Sequence, residues 1–210
     1  MEDTDSKLET IKTWLGAGSV NIFGRQYSGK DTQCGNLMHD FSGAMFSGGD
    51  ILRKSAPQHV MEKVNAGHLS PTEEYRAIVT PYFSKTEFAG KPLFLSTVGR
   101  MKGEEETILR AAQESGHAIK AVIVLHIDES IVWQRFEASK GTDTREVRAD
   151  DDSEALERRL AIYNDSTMAV IDAYRALGLV IDINGSQPPA TVHTAIIDAL
   201  YEKAVAATSS

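Results

Sequence analysis

Lys30 stands directly after Gly29, with Gly24 upstream, in the run NIFGRQYSGKDTQ at residues 21 to 33. Glycines so spaced let the backbone turn several N–H groups onto one anion, and a helix opening behind them adds its positive end. Lys30 then supplies a point charge for the outer phosphates, and Thr32 a hydroxyl able to ligate Mg2+. Tyr27 and Ser28 lie inside the turn, where Tyr27 is bulky enough to restrict its shape. Asp31 puts a carboxylate on the first helical turn, which suits the helix dipole but adds negative charge near phosphate. Alone, the run points to phosphate binding. The alternative is a strand-to-helix turn with an incidental lysine.

A phosphate-binding protein must also gather cations. Lys and Arg total 22 against 30 Asp and Glu, a net charge of −8, so broad electrostatic binding of nucleic acid is not expected. The positions of the few arginines therefore carry information. Arg53 follows two glycines in FSGGDILRKS, either as a second phosphate ligand or as an ordinary surface arginine. Arg100 comes directly after the buried-type strand of LFLSTVGRMKGEEE, where a functional role is favoured. Arg135, Arg145, Arg148, Arg158 and Arg159 crowd one region. Arg148 edges the polar stretch SKGTDTREVRADDD, and Arg159 lies about three helical turns beyond it, so the two can converge on one cleft. Arg158 is expected to pair with Glu154 or Glu157 on the surface.

Other chemistries find little support. The six histidines show no metal-ligand spacing, and His126 is expected to pack in the core at the end of an apolar strand. One cysteine, Cys34, allows neither a zinc cluster nor a disulfide framework and fits a reducing compartment. There is no Gly-x-Ser-x-Gly elbow.

The elements that must hold these residues can be read from periodicity. A leading helix is expected over residues 5–16, a strand at SVNIFG, a helix from Lys30 to about Phe41 and a strand at AMF. A helix from Asp50 is interrupted or bent by Pro57, and another opens at Ser70 with Pro71 in its first turn. PLFLST, KAVIVLHI and GLVIDI read as strands, and 129–139, 153–176 and 188–206 as helices. Short apolar strands alternating with longer helices imply an α/β fold, a mostly parallel sheet covered on both faces. Ligands then bind beyond the carboxyl ends of the strands, where the loop at 24–32 falls. With 210 residues and 41% hydrophobic content the chain suits a single domain. The acidic N-terminus and the lack of a long apolar run lead to the expectation of a cytoplasmic protein without a membrane segment.

Taken in order, these motifs resemble the adenylate kinase family of nucleoside monophosphate kinases over roughly residues 20 to 205. GRQYSGKDTQ is similar to its glycine-rich loop ending GKGTQ, SGGDILR to its STGDLLR, GHLSPTE to its GxLVPDE, and STVGR to its DGFPR. RADDDSEALERRLAIY matches its R-x-DD…RL-x-x-Y. The resemblance implies a P-loop fold with a five-stranded sheet, an acceptor-binding helical insertion over about 48–86 and a short lid over 139–150. It implies reversible transfer from Mg-ATP to a monophosphate, AMP by default, by a monomer. Gly24, Tyr27, Ser28, Gly29, Lys30, Asp31 and Thr32 would wrap the donor phosphates, Thr32 near Mg2+, while Arg135 and Gln187 would flank the donor nucleotide. Gly48, Arg53, His68, Leu69, Ser70, Thr97, Val98, Gly99 and Arg100 would hold the acceptor. Arg148 and Arg159 would close over the transferring group beside Lys30 and Arg100.

Three departures stand out. Ser96 replaces the acidic residue that helps hold the magnesium shell, with Asp31 as a nearby substitute. Glu104 replaces the glutamine that reads the acceptor base; a carboxylate only accepts hydrogen bonds and would suit the amino group of adenine or of cytosine, or the paired donors of guanine, so the acceptor base is open, with GMP or CMP as alternatives to AMP. Gly48 replaces a threonine, and Ser139 a lid arginine, for which Lys140 or Arg145 could substitute. Loss of efficient catalysis, leaving a nucleotide-binding module, is the remaining alternative.

Overall fold

The structure, a computed structural model, describes residues 3–66, 68, 72–140 and 152–208. Five parallel strands, β1 (Ser19–Gly24), β2 (Ala44–Ser47), β3 (Leu93–Ser96), β4 (Ile119–His126) and β5 (Val180–Asn184), form one sheet in the order β2-β3-β1-β4-β5. Successive side chains on a strand face opposite ways. Accordingly Val122 and Val124 of β4 join one core, and Ala121, Ile123 and Leu125 the other.

The first core is closed by the helices of the insertion between β2 and β3, namely α3 (Gly48–Ser55), α4 (Gln58–Asn65) and α5 (Thr72–Val79), together with α6 (Glu104–Glu114) and α9 (Met168–Ala176). The second is closed by α1 (Thr4–Leu15), α2 (Lys30–Asp40) and α10 (Pro189–Thr208). Ile11 and Leu15 bury the leading helix against α10, and Lys7 Nζ reaches Asp198 Oδ1 at 2.6 Å. The remaining helices, α7 (Glu129–Ser139) and α8 (Ser153–Ile162), form a third cluster through Val132, Phe136, Leu156 and Leu160, with Tyr27 packed against it.

Pro57 separates α3 from α4, because its ring cannot accept the preceding turn of a continuous helix. The helical stretch expected over 153–176 is interrupted by a π-turn at Tyr163–Thr167. Ser70 and Pro71 lie outside the described residues, as does most of the expected lid. His126 is not in the core. It ends β4 beyond the covered part of the sheet, about half exposed, where Nε2 meets Asp182 Oδ1 at 2.6 Å and Arg175 shares the same carboxylate. No helix among the described residues is long and apolar enough to cross a membrane.

Cys34 is fully buried on α2, and burial, reinforced by the charge of Asp31, pushes its thiol well above the usual range. Only the thiolate reacts. Native protein at pH 8 is therefore expected to resist iodoacetamide, with alkylation appearing only as denaturant opens α2. Rapid alkylation of folded protein would contradict this burial.

Candidate functional site

Because all five strands run parallel, Gly24, Ser47, Ser96, His126 and Asn184 end on the same edge of the sheet. The loop after β1 turns sharply there. Gly24 has no room for a side chain, since a Cβ would meet Ser28 Oγ at 2.5 Å and the Leu125 carbonyl at 3.0 Å. Gly29 is left-handed with φ 91° and opens α2. Tyr27 is also left-handed, φ 61°, a conformation non-glycine residues hold only when their surroundings enforce it. Its ring packs edge-on against Phe136 with centroids 5.8 Å apart, and its carbonyl accepts from Arg135 Nη1 at 2.9 Å. Lys30 Nζ reaches back over the turn to the Arg25 carbonyl at 3.3 Å. Ser28 Oγ, Gln26 Oε1 and Arg25 Nε are buried without hydrogen-bond partners among the described residues. Buried orphans are rare, and three in one short loop mark a turn built to pair with something other than protein.

On one side of this loop lies a cleft of about 500 Å³, lined by Ser28, Gly29, Thr32, Arg135, Gln187 and Pro188 among others. Arg135 also donates to the carbonyls of Gly185 and Ser186, at 3.1 and 3.4 Å, so one guanidinium joins the phosphate turn to the loop carrying Gln187. Beneath it Gln33 bonds the Pro189 carbonyl at 2.9 Å and His193 at 3.1 Å, which ties α2 to the start of α10.

On the other side stands the loop after β3. Thr97 and Gly99 are left-handed, with φ 50° and 85°, and consecutive N–H groups are pinned. Thr97 donates to the Ile22 carbonyl at 3.0 Å and Val98 to Asn21 Oδ1 at 3.2 Å. Gly99 donates to the Tyr75 hydroxyl at 2.8 Å, and Arg100 and Met101 to Glu104 Oε2 at 2.7 and 3.0 Å. Val98 itself is in the core, its carbonyl taken by Asn21 Nδ2. Glu104 is 3% exposed, and burial pushes its carboxyl up against the downward pull of those two N–H groups.

The Arg100 side chain is half-buried, and burial lowers its pKa while Tyr75, Asp31 and Glu104 favour its charge and Arg53 opposes it. Residues of the phosphate turn, the insertion and the β3 loop thus share one electrostatic neighbourhood. Arg53 is ion-paired with Asp50, whose backbone N–H is capped by Ser47 Oγ at 2.9 Å. Gly48 is buried at the start of α3, and His68 is exposed, donating its N–H to the Lys63 carbonyl at 2.9 Å. Arg159 is half-buried on α8 between Leu156 and Leu160. Arg158 makes the expected surface pair with Glu154, at 3.5 Å, and donates to the Ala66 carbonyl at 2.7 Å. Leu69, Ser70, Arg145 and Arg148 lie outside the described residues.

Ser96 Oγ donates to Asp31 Oδ1 at 2.5 Å. The carboxylate absent from the end of β3 is therefore present in space, supplied from α2 and exposed toward the edge of the sheet. No group of three or more His, Cys, Asp or Glu able to cage a metal occurs among the described residues. Mg2+ keeps its waters and is held through phosphates and one or two protein oxygens. Thr32 and Asp31 are hard oxygen donors of that kind.

Two further residues shape the site without a local sequence signal of their role. Asn21 is an amide inside an otherwise apolar strand, a visible anomaly, whereas Tyr75 looks like any aromatic on an amphipathic helix.

Comparison with known proteins agrees on one family. The family described as "Adenylate kinase" matches residues 22–179. A protein of Nitrobacter winogradskyi named adenylate kinase is 30% identical, over 78% of this chain and 84% of its own. One of Zymomonas mobilis with the same name is 26% identical, over 88% of this chain and 96% of its own. One of the yeast Vanderwaltozyma polyspora is also 26% identical, over 85% and 94%.

Proposed function

The chain belongs to the adenylate kinase family and is a phosphotransferase, and on that premise we propose that it moves the γ-phosphoryl group of Mg-ATP reversibly to AMP in the cytoplasm, as a monomer. The observation that carries this is the loop bearing Arg100, joined to the phosphate turn's helix through Ser96 Oγ and Asp31 Oδ1 at 2.5 Å and to the insertion through the Gly99 N–H and the Tyr75 hydroxyl at 2.8 Å. Donor and acceptor phosphates meeting there would be adjacent.

Phosphoryl transfer asks for positioning and charge neutralisation more than covalent help. The N–H groups of the turn, the Ser28 hydroxyl and Lys30 hold the donor phosphates, and Arg135 keeps the turn registered against the Gln187 loop that flanks the donor nucleotide. Arg53 exchanges Asp50 for the acceptor phosphate, which Arg100 faces from the β3 loop. Arg148 and Arg159 close over the transferring group and exclude water. Mg2+, when bound with ATP, neutralises phosphate oxygens, and the Thr32 hydroxyl and the Asp31 carboxylate are the oxygens that would hold it and its waters. Asp31→Asn is expected to weaken the Mg2+-dependent part of ATP affinity by about tenfold or more, as loss of an outer partner does. ATP titrations with Mg2+ and with EDTA check this. An equal loss in both would assign Asp31 another role.

Glu104 gives no preference to GMP or CMP over AMP. A carboxylate facing the acceptor would suit the amino group of adenine or of cytosine or the paired donors of guanine, but this one caps its own loop. Parallel phosphotransfer assays with Mg-ATP against AMP, GMP, CMP and UMP test the reading. ADP formation with AMP supports it, and transfer to GMP or CMP alone would reassign the acceptor. ATP binding without transfer to any would leave a nucleotide-binding module.

A further inference from the structure

Tyr75 is placed by α5, inside the insertion, yet its hydroxyl accepts from the N–H of Gly99 at 2.8 Å in the loop after β3. The other side-chain acceptors for that loop, Asn21, Glu104 and Glu105, come from β1 and from the start of α6. Among these acceptors Tyr75 is the one supplied by the insertion, whose next residue, Arg76, donates to the Gly103 carbonyl at the far end of the loop, at 2.9 Å. The same oxygen accounts for Gly48. A Cβ there would stand 2.8 Å from the Tyr75 hydroxyl and 3.2 Å from the Thr97 carbonyl, so the phenol occupies the space a side chain at 48 would need. Gly48 does not have the left-handed backbone that would demand glycine. Its identity is explained by the occupied space.

We propose that Tyr75 is a positioning residue for the acceptor pocket, latching the insertion that carries Arg53 to the loop that carries Arg100 and standing in for a side chain at residue 48. The inference rests on the kinase reading above, because it assigns Arg53 and Arg100 to one acceptor phosphate. The latch fixes their separation. The Thr97–Gly99 turn, held left-handed at two positions, has reason to relax once the Gly99 N–H loses its partner.

The test is a steady-state cycle of wild type, Tyr75→Phe, Gly48→Ser and the double variant, with Mg-ATP and the best monophosphate of the parallel assays, alongside thermal melts. Tyr75→Phe is expected to raise the KM for the monophosphate about fivefold to tenfold, as loss of one buried hydrogen bond would, and to move the KM for ATP less than twofold. Gly48→Ser alone is expected to raise the monophosphate KM by crowding the phenol. In the double variant the serine hydroxyl enters the space the phenol oxygen leaves and can accept from Gly99, so the KM returns toward wild type. That non-additivity is the signature of direct contact. A monophosphate KM within twofold of wild type in Tyr75→Phe, equal shifts for both substrates, or simple addition of the two single effects would overturn the latch. If Tyr75→Phe fails to fold, recovery in the double variant supports the pairing and its absence overturns it. A wild type that transfers to no monophosphate would overturn the kinase reading itself and the latch with it, an outcome separate from an active wild type indifferent to Tyr75.

Discussion

Lys30→Met is expected to lower turnover by about a thousandfold while leaving the fold in place. Methionine keeps most of the lysine stem and removes the charge. Nζ makes a long bond to the Arg25 carbonyl from a half-buried position, and a bond of that kind is worth at most about 1 kcal/mol. The functional contribution of the charge is of another order, because a preorganised cation beside developing phosphate charge is worth about 10² to 10³ in rate. Turnover with Mg-ATP and AMP, measured beside a thermal melt, separates the two. A variant that melts like wild type and turns over at a near-normal rate would remove Lys30 from the donor site.

Arg100→Ala should cost a comparable amount by a different route, about a hundredfold to a thousandfold in kcat/KM for the monophosphate. The backbone of Arg100 is held by Glu104 whatever its side chain, so the substitution removes the guanidinium without releasing the loop. Burial already holds that guanidinium below its ordinary pKa, yet an arginine so lowered stays charged at any working pH. No pH dependence of activity is therefore expected from it between pH 6 and about 9. Arg100→Lys should recover only part of the loss, since an ammonium cannot present two parallel N–H groups to a phosphate. Full activity in Arg100→Ala would move the acceptor phosphate elsewhere.

Much of the scaffold was legible in sequence because its three central strands are buried on both faces and appear as short, largely apolar runs. The helices between them announce themselves by glycine and proline boundaries. Pro57 marked a break that the structure shows as two helices. The π-turn at Tyr163–Thr167 was not visible, since YNDST contains neither glycine nor proline and the helical spacing continues through it. His126 was misjudged because an apolar run gives the burial of its middle and not of its last residue. What that residue meets, Asp182 and Arg175, depends on a neighbouring strand far along the chain. The site divides the same way. The phosphate turn is local, so its glycines and lysine could be read as a unit. The contact between Ser96 and Asp31 and that between Tyr75 and Gly99 join residues far apart in sequence. For Asp31, only proximity to Ser96 could be suspected beforehand. Glu104 bonds the backbone N–H groups three and four residues before it, partners near in sequence that its resemblance to a base-reading glutamine does not suggest.

The strand order carries a consequence for how the chain is made. β1 is central, between β3 and β4, and no two strands adjacent in sequence pair until β4 meets β5 or β2 meets β3. Gly24 in particular lies opposite Leu125. On a ribosome adding about 5 to 20 residues per second, the phosphate turn would wait on the order of 5 to 20 seconds for the strand that closes one side of it. Until then β1 would keep an apolar edge on the β4 flank even after β3 has paired with the other, the sort of surface that holdase chaperones cover. Premature release of the nascent chain before residue 126 should therefore yield aggregation and no nucleotide binding, even though every residue of the turn is already present.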